Sequence, residues 1–393
     1  MKVTGLRTRT YEFTLQRPIG DANFPRGTDF MVGSILFVDT DEGVTGVALG
    51  GGSAVRKLEH LIVGEDPRGV VGLWKKMLDF LFKEGNAGAD KRALAAIDVA
   101  LWDLKAKLNN EPLWRTLGAR EGRCKAYASG IDLCLNDEAL AAFYRRMAKQ
   151  GIDAGKLKVG LDQDEDMRRL KIVKEELSRV SRRPALMIDS NEYWSPKQAI
   201  RAISELERHF DLTWVEEPAR RWDYRGLRQV SRAVRAAVAT GENLNDVSDY
   251  APLIANEAVD VVQIGVNTSG ITGAMQVAHL AYAFELPVSM MNCPGSYMAH
   301  LAAALPNHWM MEVVDPGWEP CFRVDSWIED GWIHLGETPG LGIVVDEQKL
   351  AALEVAEPSR RPDLPFPRRE GAGLYVVPPT NEERAARERW QGR

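Results

Sequence analysis

Four short apolar runs between residues 155 and 243 each stop on charged or polar residues, and they constrain this chain more than any other feature. They are Gly155-Lys156-Leu157-Lys158-Val159-Gly160, Leu186-Met187-Ile188-Asp189-Ser190-Asn191, Thr213-Trp214-Val215-Glu216-Glu217-Pro218 and Val238-Ala239-Thr240-Gly241-Glu242-Asn243. A brief apolar run between longer helical patterns suits a strand buried on both faces of a parallel sheet. Asp189 and Glu216 lie 27 positions apart, and Glu216 and Glu242 lie 26 apart. One strand–helix–strand unit takes roughly 30 residues. Three carboxylates therefore recur at one height on three successive strands. Lys156 and Lys158, at i and i+2, point to the same face of theirs. In a parallel barrel, the carboxyl ends of the strands form the face where chemistry is done.

A lone strand-end acid more often pairs with a cation or caps a helix, and a K-x-K pair more often sits in solvent. Five charges recurring at one level of one repeat are poorly explained that way. Three converging acids repel strongly in a low dielectric. A hard divalent cation held by oxygen, such as Mg2+, relieves the repulsion. Asp189, Glu216 and Glu242 are therefore candidate metal ligands.

The repeat fits an α/β barrel. Eight strands are predicted at Cys124–Gly130, Gly155–Gly160, Pro184–Asn191, Leu212–Glu217, Ala237–Glu242, Val259–Val266, Leu286–Cys293 and Trp309–Asp315. Amphipathic helices such as Asp164 to Val180 and Pro196 to Phe210 fill the gaps. Eight alternations favour closure over an open sheet. Little helix follows the eighth strand, which predicts a (β/α)7β modified TIM barrel. Residues 1–122 precede it as an α+β capping domain. Lys2 to Leu15 and Gly33 to Leu49 alternate in period two, with a turn at Asp41-Glu42-Gly43. A loop from Arg17 to Asp29 joins them, and it is either a binding loop or an ordinary connection. A Gly-rich bend at 50–53 follows without the context of a nucleotide site. Asp90 to Asn109 is helical, with an Asp cap and a stop at Pro112. The barrel is expected over 123–320. Residues 321–356 return to strand patterning and are expected to complete the cap. Residues 357–393 form a Pro/Arg-rich tail, read as an arm onto a neighbouring subunit or a partly disordered segment.

Composition excludes several function classes. Of 393 residues, 45% are apolar and 27% charged, and the formal net charge is −6. That balance favours neither nucleic acid nor an anionic membrane. The start, MKVTGLRTRTYEF, lacks the apolar stretch of a signal peptide, and no run approaches membrane-spanning length. Cys124, Cys134, Cys293 and Cys321 are scattered without a C-x-x-C, which suits reduced thiols in a cytoplasm.

At these residues the chain resembles the enolase superfamily, in its mandelate racemase and muconate-lactonising group, over nearly its whole length to about residue 350. The resemblance is carried by Lys156-Leu157-Lys158, Asp189-Ser190-Asn191, Glu216-Glu217-Pro218 and Gly241-Glu242-Asn243, with the cap helix Ala96-Ile97-Asp98-Val99-Ala100-Leu101-Trp102-Asp103. It implies that Asp189, Glu216 and Glu242 bind Mg2+. It implies that Lys158 removes a proton α to a substrate carboxylate and that Lys156 contacts that carboxylate. Asn191 would face the substrate, and the 17–29 loop and 50–53 bend would close over the barrel mouth. It also implies a homo-oligomer, dimer or octamer. The proposed chemistry is physically coherent. The metal stabilises charge that develops on proton loss, and a neighbouring ammonium and cation lower the pKa of a lysine base. Glu312 stands where the group places a hydrogen-bonding acid, or is a rim salt bridge.

Departures from the pattern narrow the chemistry. The sixth strand, Asp260 to Asn267, has Gly265 where racemase-like members carry Asp, and it has no lysine. The seventh, Val288 to Cys293, has Met291 or Asn292 where His is expected. His300 falls in a helical pattern and reads as structural. One face of the substrate thus has a base and the other has no evident partner, although Asn292, Tyr297, Tyr193 or Cys293 could contribute there. That favours syn β-elimination of water from a sugar acid or related small carboxylate. The alternatives are a racemase, epimerase or cycloisomerase with an unrecognised second acid/base (Tyr297 or Cys293), and a barrel that binds a carboxylate ligand without turnover.

Overall fold

The computed structural model describes residues 1–84, 87–291 and 297–389, without the side chains of 266–269 and 297. Three antiparallel strands open the chain: β1 (Val3–Ile19), β2 (Thr28–Thr40) and β3 (Thr45–Leu49), in the order β1-β2-β3. The expected loop over 17–29 is shorter than its composition suggested. β1 runs on through Pro18 to the buried Ile19, with an irregularity in its pairing after Thr14, and β2 begins at Thr28. Gly20 to Gly27 alone form the connection. Four helices follow: α1 (Val55–Ile62), α2 (Val70–Phe80), α3 (Gly88–Leu108) and the short α4 (Leu113–Thr116).

The second layer is a closed barrel. Its strands are β4 (Arg123–Ser129), β5 (Ala154–Lys158), β6 (Ala185–Asp189), β7 (Leu212–Glu216), β8 (Ala237–Thr240), β9 (Val261–Ile264), β10 (Val288–Met290) and β11 (His308–Val313). Each pairs parallel with the next, and β11 pairs with β4 to close the ring. Seven helices connect them: α5 (Asp137–Lys149), α6 (Gln163–Leu177), α7 (Pro196–Leu206), α8 (Tyr224–Ala233), α9 (Val247–Ala255), α10 (Val266–Ala283) and α11 (Tyr297–Ala304). No helix comes between β11 and the strands after it, so the fold is the modified (β/α)7β barrel with an antiparallel cap.

The remaining elements are β12 (Phe322–Val324), β13 (Ser326–Glu329), β14 (Trp332–Leu335), β15 (Ile343–Val345), α12 (Glu347–Leu353) and α13 (Asn381–Arg389). The β13–β14 hairpin belongs to the segment expected to complete the cap. It extends the barrel sheet instead, with β14 antiparallel to β4. β12 pairs with β15, and this segment meets β1 through the Tyr11–Glu354 bridge and ion pairs from Arg9 to Glu347 and Glu354.

α3 binds cap to barrel. It is buried on every side from Ala93 to Leu104, a stretch that is apolar except for Asp98 and Asp103. Asp98 on α3 accepts from the Thr272 backbone N–H (2.9 Å) and hydroxyl (2.5 Å), and the Trp102 indole donates to the same hydroxyl at 2.9 Å. α10 kinks at Gly270 (φ 63°), and a Cβ there would lie 2.7 Å from Asp98 Oδ2. Asp98 thus caps the restarted helix from another element. Burial pushes its carboxyl up to about 7. A carboxyl raised from the usual 3.8 takes up a proton on folding, so Asp98's contribution to stability falls as pH rises from about 4 to about 7. Asp98→Ala leaves the buried Thr272 N–H without an acceptor and is expected to cost about 2–3 kcal/mol, read as a lower unfolding midpoint. Asp98→Asn should flatten the pH dependence across that window. An Asp98→Ala midpoint equal to wild type would refute the tether.

Candidate active site

Strand register brings the predicted charges together. Lys158 on β5 pairs with Asp189 on β6, and Asp189 with Glu216 on β7, so the three stand in one row across neighbouring strands. Alternation decides which side chains face inward. Leu157, Ile188 and Val215 pack outward toward the helices, whereas Ala154, Met187 and Trp214 fill the barrel interior with Tyr127, Ala239, Val261 and Met310. Lys156, Lys158, Asp189 and Glu216 lie in the same inward phase, above that apolar floor. Glu242 follows β8 beyond Gly241, which has φ 129° and where a Cβ would meet the Gln263 carbonyl oxygen at 2.5 Å. Only glycine fits that approach. The Tyr250 hydroxyl fixes the bend by donating to the carbonyls of Gly241 (2.7 Å) and Gln263 (3.0 Å).

The charges form one network. Lys156, 1% exposed, donates to Glu216 and lies 3.4 Å from Asp189 and 3.1 Å from Glu312. Lys158 donates to Asp189 and, at 2.8 Å, to Asn191 Oδ1. The Trp214 indole donates to the other oxygen of Glu216 at 3.2 Å. Asn191, in the left-handed region (φ 46°), donates its backbone N–H to Asp189 Oδ1 at 2.8 Å. Asparagine tolerates that backbone region better than most residues. Lys156, Asn191 and Glu312 are therefore gathered around Lys158 and the acids. Asn292 and Cys293 lie outside the described residues, as does the Tyr297 side chain. The Tyr193 hydroxyl is taken by the backbone of Val377. His300 accepts from the Trp114 backbone N–H and bonds the Leu341 carbonyl, a structural role away from the charged row.

Burial sets the electrostatics. It would raise the Asp189 carboxyl, but Lys158 and Lys156 hold it at about 2. Glu216 is pushed well up by burial against the pull of Lys156. Glu242, partly exposed at the mouth, is pushed up to about 7, also by burial of its carboxyl. For both lysines burial pulls down, yet the neighbouring carboxylates win and hold them above the ordinary ammonium range. For Lys158, the lowering expected from the neighbouring ammonium is present, from Lys156, and the surrounding carboxylates outweigh it. Carboxylates outnumber the ammonium groups in this network, and that sets the direction of the shift.

The donor set is all oxygen, as Mg2+ requires, and its excess negative charge is what a cation would relieve. In this conformation the ammonium groups stand between the acids, and no three His, Cys, Asp or Glu side chains among the described residues converge to metal-holding distance. The residues fit the ion by chemistry, with carboxylates that must turn from lysine to metal.

Several positions escaped the sequence reading. Asp132, fully buried after β4, accepts the Lys158 backbone N–H at 3.1 Å and is itself held by the Tyr144 hydroxyl at 2.9 Å and by Arg169. Glu217 accepts from Asn243 (2.8 Å) and Asn191 (3.5 Å). Gln263, on β9, faces the barrel interior with a buried side-chain oxygen that has no hydrogen-bond partner among the described residues. Extending the two-residue alternation of Lys156 and Lys158 to neighbouring strands would have found Gln263. Asp132 sits in a loop and offered no periodic signal.

Comparisons with known proteins agree with this architecture. Residues 7–118 match the family described as mandelate racemase / muconate lactonizing enzyme, N-terminal domain, and residues 139–349 match the family described as enolase C-terminal domain-like. The chain is 30% identical over 364 residues to 3,6-anhydro-alpha-L-galactonate cycloisomerase of Streptomyces coelicolor, covering 89% of this chain and 99% of that protein. It is 31% identical over 303 residues to L-talarate/galactarate dehydratase of Salmonella typhimurium, covering 75% and 73%. Among solved structures, a racemase from Streptomyces coelicolor with bound magnesium superposes with a TM-score of 0.82 at 28% identity, over 90% of this chain and all of that one. The Salmonella dehydratase, liganded with Mg and L-lyxarohydroxamate, gives 0.81 at 27% identity over 90% and 93%. The chain is a member of the mandelate racemase/muconate lactonizing enzyme family of the enolase superfamily.

Proposed function

We propose that the protein is a Mg2+-dependent acid-sugar dehydratase. The observation that carries this reading is the row Lys158–Asp189–Glu216, a lysine and two carboxylates in one strand register inside the barrel mouth. Asp189, Glu216 and Glu242 would hold the cation, which when bound supplies Lewis-acid stabilisation of a substrate carboxylate as charge develops on it. Lys158 is the base. Its pairing with Asp189 keeps it protonated at rest, and it becomes basic when Asp189 is drawn away. Lys156 orients the carboxylate, and Asn191 and Glu312 contact the substrate. Lys158 takes the α-proton and the electron pair forms the Cα–Cβ double bond. The β-carbon–oxygen bond breaks, and the leaving oxygen takes the proton back from Lys158. Water departs, and the enol ketonises to a 2-keto-3-deoxy acid.

The single-base assignment is supported by the far side of the barrel. β9 ends on Gln263 and Ile264, followed by Gly265, and β10 on Ser289 and Met290, followed by Met291, none of them titratable. Several relatives are named as sugar-acid dehydratases, including those for D-gluconate and D-mannonate. A second reading, sugar-acid cycloisomerisation, is favoured by the cycloisomerase relative matched over 99% of its length. The same reading includes a cytoplasmic homo-oligomer. The free buried thiols of Cys124, Cys134 and Cys321 suit a reducing compartment. The exposed run Leu374-Tyr375-Val376 offers apolar surface for self-association.

The test is a panel of mono- and diacid sugars with Mg2+ in deuterium oxide, followed by proton NMR. A 2-keto-3-deoxy product establishes dehydration. Solvent deuterium at Cα with isomerisation and no loss of water would replace it with the second reading. No turnover and no exchange across the panel would overturn both.

A further inference from the structure

Beyond residue 349, where the family match ends, the chain returns to the barrel mouth. Residues 357–380 carry no regular helix or strand, and six prolines stiffen the stretch 357–389. This arm is fastened at both ends. The Ser359 backbone N–H donates to Glu12 on β1, and Arg384 and Arg387 on α13 pair with Glu165 on α6. Arg369 braces the interior through a two-pronged pair with Glu383 at 2.5 and 2.9 Å.

Between its anchors the arm crosses the Gly20–Gly27 connection. Asp363 accepts from the Thr28 hydroxyl at 2.6 Å. Phe366 stacks on Phe24 with ring centroids 4.9 Å apart and planes 11° apart. The Arg369 backbone N–H donates to Asn23 Oδ1 at 3.0 Å. The Val377 backbone both donates to the Tyr193 hydroxyl and accepts from it, at 3.0 and 3.2 Å. Asn23 passes the contact inward, its Nδ2 donating to the Asn191 carbonyl at 3.0 Å. Asn191 in turn accepts from Lys158 and donates to Asp189. One continuous hydrogen-bonded path therefore joins the arm to the lysine and an acid of the charged row.

We propose that the arm, residues 357–389, is a strap that holds the Gly20–Gly27 loop over the barrel mouth, and that Asn23 is a positioning residue through which the strap sets Asn191 and hence Lys158. Asn23 uses both ends of its amide, one on the arm and one on the β6 end, so it reports the position of the first to the second. The loop's own turn is closed by Asp21, which accepts from the N–H groups of Asn23 and Phe24. That turn keeps the loop's shape, and the strap sets where the loop sits. The kinetic half of this proposal rests on the function proposed above, and the structural half does not.

The first measurement needs no substrate. Amide hydrogen exchange of residues 20–27 is followed by mass spectrometry in the full chain and in the double variant Asp363→Ala/Phe366→Ala. Loss of each contact should raise loop exchange about two- to tenfold, while the 185–189 peptide of β6 stays protected and certifies the fold. Unchanged exchange at 20–27 overturns the strap, whatever the substrate proves to be. The second measurement compares Asn23→Ala with Asn23→Gln. A positioning role predicts that Asn23→Ala lowers kcat about tenfold with KM changed far less, and that Asn23→Gln restores part of it. Equal kcat in Asn23→Ala and wild type, or a change confined to KM, overturns the positioning role.

Discussion

Lys158→Ala is expected to abolish both turnover and α-proton exchange, each by about 10²–10⁴-fold, the range a positioned general base contributes. No other described side chain stands at the same height with a nitrogen free to take its place. Lys156 is engaged with Glu216 and Glu312 and lies one turn of the alternation lower in the barrel. The fold should survive, because Asp189 keeps Lys156 at 3.4 Å and the Asn191 backbone N–H at 2.8 Å. Lys158→Arg should not rescue. A guanidinium keeps its charge through any working pH and offers no lone pair for the proton. The informative readout is exchange of the α-proton with deuterium oxide, followed separately from product formation. Exchange at the wild-type rate in Lys158→Ala would remove Lys158 from the base role and leave the rest of the charged row without an assigned chemistry.

The repeat was legible because its signals are local and periodic. An apolar run ending on Asp189, Glu216 or Glu242 declares a strand and its polar end, and the roughly 26-residue interval declares the unit. Register then followed from the requirement that every inward side chain share one phase, which is why Lys158, Asp189 and Glu216 fell in a row. What stayed hidden depends on partners distant in sequence. The β13–β14 hairpin announces its own pairing but not that Trp332 will lie beside Lys125 on β4. β1 ran past Pro18 because Ile19 finds buried surface, a tertiary gain that turn-forming composition does not reveal. Asp132 holds the Lys158 backbone from a loop, and no spacing rule marks it. The arm joins the mouth in part through backbone groups of Arg369 and Val377, which any residue could supply. How closely carboxylates crowd Lys158 was also hidden, since it depends on packing rather than on which residues are present.

Glu216→Gln is expected to separate cation binding from folding. Glu216 is 1% exposed, with one oxygen accepting from Lys156 and the other from the Trp214 indole. Both partners are donors, and an amide has only one acceptor oxygen. The substitution therefore leaves either Lys156 or Trp214 facing an NH2 group, and it removes one of the three charges that would hold Mg2+. Changing a group that merely orients a metal ligand already costs about 10–100-fold in affinity, so losing a ligand charge should cost more than about 100-fold, measured by calorimetric titration of Mg2+. Burial pushes the Glu216 carboxyl well above its usual range, so its ionised form is costly in the folded chain and a neutral isostere relieves that cost. That relief offsets only part of the cost of a buried donor left facing the amide, so stability without metal should fall by about 1–3 kcal/mol. The two effects meet in thermal unfolding. Wild type at one hundred times its Mg2+ dissociation constant gains about 2.7 kcal/mol by mass action, and its melting temperature rises accordingly. Glu216→Gln at the same Mg2+ concentration should show almost none of that rise. A variant that kept the full Mg2+-dependent shift would place the cation elsewhere and would return Glu216 to the role it has in the resting network, a buried partner for Lys156.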